Sequence, residues 1–173
     1  MNTIDVLILN GSPGSGKTTL AGAISEELRI ADTPHAVIDL DEFAVVYPDD
    51  IGTRNGLKWR NLASVWQNYS ELGDLKIIIP VLIDTTEDLG ALRKAAPAQS
   101  FTVCTLTASL DTLKDRVTKR EPNEYWQSKL RGLVESYGQR SDEEKFADFQ
   151  VSTDDKDIEA TAKEVIKHLG WSK

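Results

Sequence analysis

The 173-residue chain is 40% apolar and 28% charged, a balance that suits one folded domain and excludes global disorder. Folding at this length removes roughly two-thirds of the unfolded surface from water, so no disulfide or structural metal is required. The net charge of −8 weighs against a general nucleic-acid binder.

No window approaches the roughly 20 apolar residues of a membrane span. The start, Met1-Asn2-Thr3-Ile4-Asp5, has neither a basic stretch nor an apolar leader. The lone cysteine, Cys104, allows no internal disulfide and suits a reducing cytoplasm.

There is no internal repeat. Short β-rich apolar runs alternate with helix-length amphipathic segments, the pattern of a parallel sheet covered by helices on both faces. Asp5 to Leu9 is an unbroken apolar run after its aspartate and predicts a strand buried on both faces. A helix follows from Lys17 to Ile30, then a strand from His35 to Asp39. Leu62, Val65, Trp66 and Tyr69 recur at helical spacing and predict a helix over Leu57–Leu72. Lys76 to Ile83 reads as a strand despite Pro80, which cannot donate to a ladder. Thr86 to Ala95 is helical and stops before Pro97. Phe101 to Leu106 is the fourth strand, and Ser109 caps a helix running to Arg120. Asn123 to Tyr137 is helical. Ser141 to Asp148, polar and acidic, is expected at the surface. Phe149 to Ser152 is the last strand, and Gly170 stops a final helix over Asp157–Leu169. Five strands joined by right-handed crossovers imply a three-layer α/β sandwich, a single domain over residues 1–173.

The strongest signal follows the first strand. Gly11-Ser12-Pro13-Gly14-Ser15-Gly16-Lys17-Thr18 fits the phosphate-loop pattern G-x-x-x-x-G-K-[ST] at every fixed position. Its glycines permit positive φ and close approach of the backbone to a phosphate. Successive N–H groups form an anion nest, to which the following helix adds its positive end. Lys17 is expected on the β- and γ-phosphates, Thr18 on magnesium and Thr19 on the α-phosphate. A glycine-rich turn can merely join a strand to a helix. Here the full motif sits between an apolar strand and an amphipathic helix, the context nucleotide binding requires.

No N-K-x-D base-reading motif is present, which excludes regulatory GTPases. Asp49-Asp50-Ile51-Gly52 matches D-x-x-G but follows Pro48 rather than a strand. Transporter ATPases and helicases need longer chains. Two further motifs occur in order. Ile38-Asp39-Leu40-Asp41 closes the second predicted strand. Leu113-Lys114-Asp115-Arg116-Val117-Thr118-Lys119-Arg120 is a helix ending in R-x-x-x-R. With the phosphate loop, these resemble the small-molecule P-loop kinases of the nucleoside-monophosphate-kinase-like group. That group includes shikimate, gluconate and adenylylsulfate kinases and chloramphenicol phosphotransferase. The chain is most similar to small ATP-binding proteins of actinobacterial type, often grouped with adenylylsulfate kinases. The resemblance implies P-loop NTPase topology with a small helical lid, here about residues 120–140, hinged at Glu121-Pro122-Asn123.

Parallel-sheet sites lie beyond the carboxyl ends of the strands, so at least one of Asp39 and Asp41 should face the phosphates. Asp41 is assigned to orienting or deprotonating the acceptor, and Asp39 to magnesium through water. The alternative for the pair is an Asx turn or a helix cap before Glu42. Asp84, ending Val81-Leu82-Ile83-Asp84, is either a second metal-side carboxylate or the N-terminal aspartate of the next helix. Arg116 and Arg120 share a helix face. By resemblance Arg116 contacts the nucleotide and Arg120 clamps the transferred phosphoryl group, with Arg131 a lesser lid candidate. Residues 113–140 carry seven basic and four acidic side chains, a local excess of +3 in an acidic protein. Arg60 is a candidate for an anionic acceptor group. Trp59, Trp66 and Trp126 either line an acceptor pocket or belong to the core. His35 and His168 read as structural.

The D-D-R-x-P-W segment of gluconate kinases is absent. So are the glycine triplet of shikimate kinases and the glycine that adenylylsulfate kinases place between two aspartates. The acceptor therefore stays open. The expected activity is transfer of the γ-phosphoryl group of Mg·ATP to a small-molecule acceptor, a hydroxyl, by a cytoplasmic monomer or homodimer. No nucleic-acid or membrane partner is expected. The alternative is a nucleotide-binding switch or sensor with little turnover.

Overall fold

The structure, a computed structural model, describes residues 2–47, 51–139 and 146–171. Five parallel strands form one sheet in the order β2-β3-β1-β4-β5. They are β1 (Ile4–Asn10), β2 (His35–Val37), β3 (Leu75–Pro80), β4 (Ser100–Thr107) and β5 (Phe149–Ser152). The helices are α1 (Lys17–Ile30), α2 (Ile51–Ser70), α3 (Thr86–Ala95), α4 (Leu110–Arg120), α5 (Glu124–Gly138) and α6 (Ile158–His168), with a 3-10 turn at Glu42–Ala44. This is the α/β sandwich expected from the sequence.

Alternation along the strands divides the core in two. Leu7, Leu9, Ile78, Cys104, Leu106 and Val151 face α1 and α6. Val6, Ile8, Ile77, Ile79 and Val103 face α2 and α3. β1, between β3 and β4, is buried on both faces, and each of its fully buried aliphatic side chains contributes roughly 1.5–3 kcal/mol. Leu62 and Trp66 of α2 are buried, with Val65 and Tyr69 packed beside them, as the helical spacing predicts. The α4–α5 hairpin has a small core of its own, Leu113, Val117 and Val134. Ser109 and Asp157 cap α4 and α6 through their side chains.

Several boundaries differ from expectation. β2 stops at Val37, because after Ile38 N–H donates to Ile78 O at 2.9 Å the chain leaves the ladder. Asp39 and Asp41 thus lie beyond the strand rather than at its end. β3 stops at Pro80 instead of Ile83. Val81 N–H still reaches Leu9 O at 3.0 Å, but Ile83 N–H is taken at 2.9 Å by the Asn10 side chain. α2 begins at Ile51 rather than Leu57. Ser141–Asp148 is not all surface. Phe146 packs against the core and the Asp148 carboxylate accepts Val103 N–H at 2.7 Å. Residues 140–145, Pro48 and the Asp49-Asp50 half of the D-x-x-G match lie outside the described residues. Among the described residues no helix is long and apolar enough to cross a membrane.

Candidate active site

The phosphate loop follows from the conformations its glycines allow. Gly11, Gly14 and Gly16 have φ of 143°, 82° and 93°. Two of them also sit where a side chain has no room. A Cβ on Gly11 would meet Leu106 O at 2.7 Å, and one on Gly14 would meet Leu113 O at 2.8 Å. The loop is thereby pressed against the end of β4 and against α4. Gly16 forms the N-cap of α1 without a side-chain cap, leaving the first-turn N–H groups to an anion. Nothing lies within 4 Å of a Cβ built there, so the approach to those N–H groups is open. The Ser12 and Ser15 hydroxyls are buried with no partner among the described residues. Glycine clearance, free helix N–H groups and unpartnered hydroxyls fit a bound phosphate.

Lys17, at the first position of α1, donates from Nζ to Gly11 O at 2.8 Å and Ser12 O at 3.2 Å. Burial lowers its pKa from 10.5 to about 8. The charge of Asp41 opposes this shift, Arg120 adds to it, and Asp39 and Asp84 oppose it. Four residues from three separate segments therefore act on one ammonium.

The Thr18 hydroxyl donates to the Asp39 carboxylate at 3.1 Å, and the other Asp39 oxygen accepts Asp41 N–H at 3.1 Å. Asp39 is thus both the anchor of a local Asx turn and the neighbour of Thr18. Among the described residues no group of three or more His, Cys, Asp or Glu could hold a metal. One hydroxyl and one carboxylate beside a phosphate loop suit magnesium, which keeps several waters and is completed by phosphate oxygens. Asp41 and Thr19 are exposed, and Pro13 is half-buried. Asp84 does not cap α3, because Thr85 does so by accepting Asp88 N–H.

On the other side of the loop, Arg116 donates to Gly14 O at 3.3 Å, Thr153 Oγ1 at 3.0 Å and Thr153 O at 2.8 Å. Arg120 pairs with its neighbour Glu121 at 2.8 Å. Arg131 donates twice to the Thr118 hydroxyl, at 3.0 and 2.7 Å, joining α5 to α4. Beside Ser12 lies a cavity of about 550 Å³. Thr105, Leu113 and Tyr137 contribute to its walls, with the Lys114–Glu135 ion pair at 2.6 Å.

The other candidates are spread out. Trp66 is core, donating to Pro97 O at 3.0 Å, and Trp59 packs against the same core. Trp126 is exposed, with Lys129 Nζ 4.6 Å from its ring. Arg60 donates to Gly56 O on its own helix at 3.3 Å. His35 joins Ser25 and Thr33 O, each at 2.8 Å, and His168 stacks on Phe149. Both are structural.

Sequence reasoning passed over Asn10 and Thr153. Asn10 is a fully buried polar residue ending an apolar strand, directly before Gly11. That pattern is legible, and its side chain ties β1 to the segment leading to Asp84. Thr153 has no motif. Its only signal is its place after a parallel strand, where such sheets build their sites.

This fold and loop define a parallel α/β sandwich with a phosphate loop after its first strand. The sequence matches the Zeta toxin family over residues 3–73, from β1 to just beyond α2. No curated protein matches it. Among solved structures, an APS kinase of Mycobacterium tuberculosis in complex with AMPPNP and APS superposes with TM-score 0.69 and 21% identity, covering 98% of this chain and 99% of that one. A gluconokinase from Sinorhizobium meliloti gives 0.59 and 17%, covering 99% and 98%. A shikimate kinase from Acinetobacter baumannii in complex with shikimate gives 0.60 and 18%, covering 98% and 95%. The fold is that of the small-molecule kinase group the motifs resemble.

Proposed function

We propose that this protein transfers the γ-phosphoryl group of Mg·ATP to the hydroxyl of a small-molecule acceptor. The observation that carries this reading is the phosphate loop, where Gly11 O and Ser12 O hold Lys17, Thr18 meets the Asp39 carboxylate, and the charges of Asp41, Arg120, Asp39 and Asp84 act on the ammonium. A loop that only held a nucleotide would need no carboxylate on the acceptor side. The structural neighbours named as kinases support the same reading.

The loop N–H groups and Lys17 hold the triphosphate, and Arg120 neutralises charge on the group in transit. Asp41 accepts the proton of the acceptor hydroxyl as its oxygen bonds to the γ-phosphorus. The bond to the β–γ bridging oxygen breaks and ADP leaves. Thr18 and Asp39 would hold magnesium, which supplies charge neutralisation of the phosphate oxygens when bound. Arg116 serves the nucleotide through the loop carbonyl it holds. The helical segment over about residues 120–140 acts as a lid that excludes water. The buried Cys104, its thiol pushed up to about 12 by burial, is unreactive, in keeping with a structural role in a cytoplasmic protein.

The test is calorimetry with Mg·ATP, followed by a screen of ATP consumption. The acceptors are sugars, nucleosides, adenylylsulfate, and aminocyclitol and phenicol antibiotics. Binding and acceptor-dependent turnover are expected, both nearly abolished in Lys17→Ala. Binding without turnover on any acceptor would favour a switch or sensor, and no binding would overturn the reading.

A further inference from the structure

We infer that Thr153 is a positioning residue that aims the phosphate loop, an assignment that rests on the loop's proposed role in binding triphosphate. Thr153 follows β5 and is buried, at 8% exposure. Its hydroxyl lies 3.1 Å from Ser15 O and 3.3 Å from Thr107 O, and it accepts an Arg116 N–H at 3.0 Å. A hydroxyl has one proton to give. Arg116 can only donate, so that proton must go to a carbonyl. Thr107 O already accepts the Thr153 backbone N–H at 2.8 Å, whereas Ser15 O has the shorter contact with the hydroxyl. The proton therefore goes to Ser15 O.

Peptide planarity turns this outer contact into an inner one. The carbonyl of one residue and the N–H of the next point in opposite directions across a trans peptide. Holding Ser15 C=O toward Thr153 therefore aims Gly16 N–H away from it, into the loop. Arg116 does the same at the preceding peptide. It holds Gly14 C=O outward at 3.3 Å while Ser15 N–H turns to Ser12 O at 3.1 Å. Gly16 has no side chain to resist a peptide flip, so the direction of its N–H must be imposed from outside. Thr153 imposes it, with Arg116 fixing the rotor of the Thr153 hydroxyl.

The experiment compares the parent with Thr153→Val, which keeps the shape and removes the hydroxyl, and Thr153→Ser, which keeps the hydroxyl. Each is titrated with Mg·AMPPNP by calorimetry and melted without nucleotide. Thr153→Val is expected to weaken binding about tenfold, the equivalent of one hydrogen bond. Its nucleotide-free Tm should fall by no more than about 2–4 °C, the worth of one buried hydrogen bond, and Thr153→Ser should restore the affinity. Parental affinity in Thr153→Val would overturn the inference. So would an equal loss in Thr153→Ser, which would make the role one of packing. If Thr153→Val does not fold, Thr153→Ala takes its place. Failure of both beside a folded Thr153→Ser would make Thr153 a stability residue and also overturn it. No binding by the parent would instead overturn the phosphate-loop reading beneath it.

Discussion

The Thr18 hydroxyl meets the Asp39 carboxylate at 3.1 Å, although 21 residues separate them in the chain. One belongs to the first turn of the helix after β1, the other to the turn after β2. β3 lies between those strands, so the contact closes across the carboxyl end of the sheet.

That contact is expected to give way to magnesium. Thr18→Val and Asp39→Asn should each raise the magnesium concentration needed for half-maximal ATP binding, by about tenfold or more. Calorimetry at fixed ATP and varied magnesium reads this directly. An unchanged magnesium dependence in both variants would remove the pair from the metal site.

Lys17 makes the protein sensitive to alkaline pH. Its pKa in the folded chain is about 8 against an ordinary 10.5. Between those values the unfolded chain holds a proton that the folded one lacks, so the contribution of Lys17 to stability rises with pH across that window. Nucleotide binding should run the other way. A triphosphate favours the charged ammonium, so binding near pH 8 should take up about half a proton and weaken as pH rises further. Titrations in buffers of different ionisation enthalpy measure the uptake, and it should fall toward zero by about pH 6.5, where the free Lys17 already carries its proton.

Gly14 and Gly16 should fail differently when replaced by alanine. Both have positive φ, at a cost of about 1–2 kcal/mol for any other residue. Only Gly14 adds a clash, with Leu113 O at 2.8 Å. Gly14→Ala should therefore destabilise by about 2–4 kcal/mol in urea unfolding. Gly16→Ala should stay within about 2 kcal/mol of the parent yet lose ATP binding, because its Cβ would occupy the open approach to the helix N–H groups.

Arg120 should matter to turnover far more than to stability. Its bond to Glu121 is an exposed pair between neighbours, worth little in water and readily exchanged for phosphate. Arg120→Ala should leave Tm nearly unchanged and lower kcat about 10²–10³-fold. Hydrogen exchange over residues 120–139 should slow when Mg·AMPPNP is added, and equal exchange in both states would contradict lid closure.

Strand–helix order and the phosphate loop are legible along the chain, because both are local. An apolar run buried on both faces, glycines at positive φ and a lysine at a helix start are written in neighbouring residues. Pro80 is a partial case. Its missing N–H was visible, but that β3 ends there depended on Asn10 reaching across from β1 to take Ile83 N–H. The tertiary structure alone decided which polar groups meet. It brought Thr153 under Ser15, turned Arg116 onto the loop carbonyl, and gave the cap of α3 to Thr85, leaving Asp84 to act on Lys17. Such contacts join the ends of strands that are distant in the chain. Their pairing follows from strand order and register, which no local pattern encodes.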